Sequence, residues 1–143
     1  MHSHRIAVMA RVRFAIATLA LALGGCSYLY NIEAIVRDGK VVFVVEGATP
    51  QSPVCVRSFG VRREQPRQTV WGENIAYEDP CENKFPVTYG IPFKGRPLIE
   101  GRSMPASPLQ VGVTYSVHAT TGANGYGSGR FVLLADGSVR NVK

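Results

Sequence analysis

Leu109-Gln110-Val111-Gly112-Val113-Thr114-Tyr115-Ser116-Val117-His118-Ala119 reads as a β-strand. Val113, Tyr115, Val117 and Ala119 fall on one face and are apolar or aromatic, while Thr114, Ser116 and His118 fall on the other. The stretch Thr121 to Gly129 follows and reads as a glycine-rich turn, its glycines supplying positive φ angles at little steric cost. Arg130-Phe131-Val132-Leu133-Leu134 returns as a strand. Asp136-Gly137 makes a second tight turn, and Ser138 to Val142 ends the chain.

Upstream the same grammar repeats. Ile32 to Glu46 reads as a hairpin: Ile32, Ala34 and Val36 alternate with Glu33, Ile35 and Arg37, and Asp38-Gly39 accepts the positive φ pair of a type I′ turn. Lys40-Val41-Val42-Phe43-Val44-Val45-Glu46 is apolar on both faces and is expected to be a central strand. Val54 to Arg62 and Thr69 to Tyr77 are two more strands around a turn at Pro66, with Arg62, Arg63 and Arg67 near its tip and Trp71 in the core. Prolines 86, 92, 97, 105 and 108 restrict strands in that region to short or edge positions, with Phe85 to Tyr89 and Arg96 to Glu100 as candidates. The acidic loop Glu78-Asp79-Pro80-Cys81-Glu82 lacks calcium-loop spacing and reads as solvated. No amphipathic helix is visible after Cys26.

Seven or more short strands separated by turn signals predict an all-β domain, either sandwich or barrel. Leu109-x-x-Gly112-x-Thr114-Tyr115-x-Val117-x-Ala119 resembles a late strand of fibronectin type III and related immunoglobulin-like domains. There a tyrosine at the strand's start bonds back to nearby backbone. The resemblance implies a small antiparallel β-sandwich.

The N-terminus carries a different message. Residues 1–13 hold Arg5, Arg11 and Arg13 and no acid; Phe14 to Gly25 is a short uncharged run ending in small residues. That is the pattern of a secretory signal, and twelve residues are too few to span a bilayer, which takes about 20. Leu23-Gly24-Gly25-Cys26 resembles the lipobox of bacterial lipoproteins. The resemblance implies cleavage before Cys26, lipid on its thiol, and, because Ser27 rather than Asp follows, delivery to the outer membrane facing the periplasm. The expected division is a signal peptide over 1–25, a lipidated tether over 26–31 and a sandwich over 32–143, with Tyr28 and Tyr30 read either as membrane-interface residues of the tether or as the start of the first strand. The mature chain also resembles small envelope lipoproteins that share a C-terminal stretch like Thr121 to Phe131.

With Cys26 occupied by lipid, Cys55 and Cys81 remain as an even pair in an oxidising compartment and are expected to form a disulfide. A metal site is not indicated: His118 is the only histidine after the signal, and no CxxC pair exists.

The formal charge is +6, of which the signal's three arginines are removed, leaving +3. So mild an excess argues against nucleic acid as a partner. Gly125-x-Gly127-x-Gly129 lacks a Gly-Lys-Ser/Thr ending and runs into a strand, so it is not a phosphate loop. No Gly-x-Ser-x-Gly elbow is present, and the acids are scattered over turns. The expectation is a protein that is not an enzyme and needs no cofactor. It would be a membrane-anchored envelope lipoprotein that binds an envelope protein or cell-wall partner, or serves structure. Tyr126 and Arg130 are the candidate contacts, because an aromatic and an arginine on a loop suit recognition. The alternative is a lysozyme-type hydrolase inhibitor presenting Thr121 to Arg130, a segment faintly similar to the inhibitory loops of small disulfide-bonded β lipoproteins.

Overall fold

A computed structural model describes residues 28–47, 55–99, 103–121 and 125–143. These residues are all-β. Eight strands follow in chain order: β1 (Tyr28–Arg37), β2 (Lys40–Val45), β3 (Ser58–Arg63), β4 (Gln68–Asn74), β5 (Val87–Thr88), β6 (Thr114–Thr120), β7 (Gly125–Leu133) and β8 (Val139–Asn141). They form a mixed sheet ordered β4-β3-β6-β7-β1-β2-β5, with β8 also on β7, curled into a half-barrel.

The β1–β2 hairpin forms as its sequence requires. Asp38 and Gly39 take φ of 51° and 72°, and Arg37 pairs with Lys40 directly across the turn. Ile32 and Ala34 are buried; Glu33 and Ile35 on the other face are only partly so. β2 is central over a short length only. It meets β5 at Val42 and Phe43, the two residues buried on opposite faces, because proline limits β5 to two residues.

The core is an aromatic cluster. Phe59 on β3 lies 5.2 Å from Phe43 on β2 and 5.4 Å from Trp71 on β4, ring centre to ring centre. Phe131 on β7 lies 5.6 Å from Phe43 and 5.5 Å from Tyr115 on β6. All five are at most 1% exposed. Each such ring would cost about 3–5 kcal/mol to truncate to alanine. Tyr115, Val117 and Ala119 are buried on the face that strand alternation assigns them. The Tyr115 hydroxyl accepts the Gln110 backbone N–H at 2.9 Å, fixing the approach to β6. Cys55 and Cys81 are disulfide-bonded, with Cα atoms 5.7 Å apart.

Three expectations need correction. First, the sheet is not purely antiparallel. The start of β1 runs parallel to β7, pairing Tyr28 with Gly125 and Asn31 with Ser128. Second, β1 begins at Tyr28, so most of the expected tether over 26–31 belongs to the folded domain; Cys26 and the signal over 1–25 lie outside the described residues.

Third, Gly125, Gly127 and Gly129 are not turn residues. They sit inside β7, and none has a positive φ. Their missing side chains make room for β1: a Cβ on Gly127 would come within 2.1 Å of the Tyr30 ring, and one on Gly125 within 2.7 Å of the Tyr28 hydroxyl. Aromatic rings laid over strand glycines recover the packing that glycine forgoes. Residues 122–124 of the expected turn lie outside the described ones.

Where β1 leaves β7, Asn141 on β8 supplies the missing backbone partner. Its side-chain amide donates to Ala34 O at 2.9 Å and accepts from Ala34 N at 2.8 Å. Ala34 is 3% exposed, so Asn141→Ala leaves both groups unpaired and is expected to cost about 2 kcal/mol. Denaturant titration checks this, and a loss below about 0.5 kcal/mol, the low end for a single hydrogen bond, would contradict it.

Candidate binding surface

Strand alternation gives the β3-β6-β7 sheet an inner face for the core and an outer face for solvent. The outer residues form rows set by the register. Arg62 pairs with Ser116, and Ser116 with Arg130. The next row is Gly60, His118, Ser128 and Asn31. The third is Ser58, Thr120, Tyr126 and Leu29.

Arg130 is held by Glu64, from the β3–β4 turn, through two hydrogen bonds of 2.7 and 2.9 Å. The hydrogen bond from Arg130 holds the Glu64 carboxyl below its ordinary range, and the same pairing raises Arg130. Arg62 and Arg67 complete a shallow, largely polar depression of about 570 Å³ around this pair. Three guanidinium groups against one carboxylate leave the depression positive. In the second row, the His118 imidazole lies flat over Gly60: a Cβ there would fall 2.6 Å from the ring. Desolvation of the ring against Gly60, then the Arg62 charge, lowers the His118 pKa below its ordinary value. The surface can therefore accept an anionic group at Arg62 and Arg130 and hydrogen-bond through Ser116, His118 and Ser128.

Tyr126 and Arg130 are thus on one face, as candidate contacts should be, but on a strand and not on a loop. They are four residues apart, about 13 Å along β7, and occupy different rows. The sequence reading missed Arg62, Ser116 and His118 as their neighbours. The signal was present in the polar positions of β6, which alternate with Tyr115, Val117 and Ala119.

A second feature lies at the far edge of the sheet. Glu73 shares the inward face of β4 with Trp71 and is 8% exposed. It lines a cleft of about 480 Å³ with Trp71, Phe93, Pro92, Pro97 and Pro105, and is the only acid among the described residues of that lining. The Trp71 indole donates to Glu73 Oε1 at 3.3 Å, and the Phe93 backbone N–H also donates to the carboxylate. Burial outweighs both donors and raises the Glu73 pKa. The folded state therefore holds this proton more tightly than the unfolded chain. Glu73 favours folding below its unfolded pKa and loses that contribution as pH rises through its folded pKa. Glu73→Gln is accordingly expected to gain stability relative to the parent as pH rises from the acid range to neutrality. Paired melting curves across that range check the trend, and a pH-independent difference would contradict it.

No family model matches the chain, no curated protein matches it, and no solved structure matches it.

Proposed function

We propose that the chain is a lipid-anchored lipoprotein of the cell envelope, held in the membrane through Cys26. Its domain is a non-enzymatic binding module with an immunoglobulin-like sandwich. The strand arrangement supports the sandwich. β1 pairs over Tyr28–Asn31 with β7 and over Ile32–Arg37 with β2, so its two halves join different neighbours. Phe43 on β2 packs on Phe59 of β3 and Phe131 of β7, and Tyr115 makes the backbone bond characteristic of such domains. The lipobox Leu23-Gly24-Gly25-Cys26 supports the anchor and the outer-membrane address.

One observation carries the binding role: the exposed row Arg62–Ser116–Arg130, with Arg130 oriented by Glu64. A preorganised guanidinium on a rigid strand loses little freedom on binding and matches a carboxylate or phosphate bidentately. The partner is an acidic component of the envelope. A photocrosslinking side chain at Ser128, in intact cells, is expected to capture one discrete envelope species. The double variant Arg62→Ala/Arg130→Ala should abolish that capture with its melting temperature almost unchanged, because exposed ion pairs contribute little. Capture that survives the double variant would remove this face from the account. Adding the purified domain to lysozyme separates the alternative: stoichiometric inhibition would assign the protein to hydrolase inhibition instead.

A further inference from the structure

We infer that the end of the domain bearing Leu29, Tyr126 and Tyr77 rests on the lipid bilayer itself, so that the anchored domain is docked and not swinging on its tether. This rests on the reading of Cys26 as the lipidated residue. Leu29 is 83% exposed and Tyr77 65%, the two most exposed large hydrophobic residues among those described. Leu29 pairs with Tyr126, itself 43% exposed, on the neighbouring strand, so an aliphatic and an aromatic side chain stand together on one face.

All three lie at the same end of the sheet. That end collects the starts of β1, β3 and β7 and the ends of β4 and β6, as the pairs Leu29–Tyr126, Tyr126–Thr120, Thr120–Ser58 and Ser58–Asn74 show. Tyr77 follows β4 there, with the Arg57 guanidinium 5.9 Å above its ring. The chain length does the rest. Leu29 lies three positions after Cys26, a reach of at most about 11 Å. A lipid on Cys26 therefore cannot enter the bilayer without bringing Leu29 to the headgroup region.

A tyrosine and a leucine suit that region, where an amphipathic ring keeps its hydroxyl wet and an apolar face sinks about 5–10 Å. Tyr28 and Tyr30 precede and follow Leu29 but are committed elsewhere. Their rings cover Gly125 and Gly127, and Tyr30 also packs edge-on to Phe85 at 5.9 Å. The membrane contact thus belongs to the outward residue between them. Docking at this end also turns the Arg62–Ser116–Arg130 row, farther along the strands, away from the lipid.

The test uses lipidated chain purified from membranes and reconstituted in vesicles of phosphatidylethanolamine and phosphatidylglycerol, with or without brominated acyl chains. Leu29→Trp and Tyr126→Trp report on the docked end; Val111→Trp, 56% exposed and bridged to Leu133 at the opposite end, is the control. Trp71 is buried in the core and supplies a constant background. Brominated lipid is expected to remove about half of the added emission at positions 29 and 126 and leave position 111 unchanged, since only an interfacial side chain meets the acyl boundary. If the chain floats with vesicles but all three variants respond alike, the docking is wrong and the anchor stands. If the chain does not float and Cys26 carries no acyl mass, the anchor reading fails and the docking with it.

Discussion

Gly129→Ala is expected to destabilise the domain by about 3 kcal/mol, near the upper limit for overpacking. The cause is space and not backbone conformation, because Gly129 has no positive φ. An added Cβ would sit 2.0 Å from the Ile32 carbonyl oxygen and 3.0 Å from its carbonyl carbon. Both are backbone atoms and cannot rotate aside. Relief requires β1 to move, yet β1 is fixed by its ladder to β2, by Tyr28 and Tyr30 over the other two glycines, and by Asn141 at Ala34. The comparison is Gly137→Ala. There nothing lies within 4 Å and only the left-handed φ of 83° resists, a cost of about 1–2 kcal/mol. Chemical denaturation of the two variants should rank them in that order; equal losses would mean that β1 does not press on β7 as described.

Breaking the Cys55–Cys81 bond is expected to cost more. The bond closes a loop with a sequence separation of 26, for which the chain-entropy relation gives about 3.5 kcal/mol. For a domain near 100 residues this corresponds to a drop of about 15 °C in melting temperature. The loop contains β3 and β4, so the crosslink restrains the unfolded form of the segment that contributes Phe59, Trp71 and Glu73 to the interior. Cys55→Ala/Cys81→Ala should therefore melt far below the parent, and added reductant should bring the parent to the same temperature. A shift of only a few degrees would show that packing around Phe59 already holds the segment.

Local chemistry made part of this fold readable in advance. Asp38-Gly39 dictates a two-residue hairpin whatever surrounds it, and Tyr115 lies on a strand whose alternation admits one buried face. The cysteine pair followed from counting. The β7 glycines could not be resolved that way, because glycine serves a turn and a close backbone approach equally well. The deciding fact is a match between distant segments: Tyr28, Tyr30 and Ile32 recur with the same period of two as Gly125, Gly127 and Gly129. Tyr126 moved from turn to strand for the same reason. Glu73 was within reach, since any strand that turns Trp71 inward turns residue 73 inward too. What hid it was the expectation that a carboxylate faces water; here the Trp71 indole and the Phe93 amide make burial tolerable.

The central claim is that the folded domain is fastened to a membrane through Cys26, three residues before the exposed Leu29. Intact-mass and N-terminal peptide mass spectrometry of the chain purified from membranes tests it most directly. The account predicts a mature chain beginning at Cys26 and carrying diacylglyceryl on its sulfur, with Cys26→Ala leaving residues 1–25 attached. A chain with an unmodified Cys26 thiol, or one released in soluble form from a different N-terminus, would contradict it.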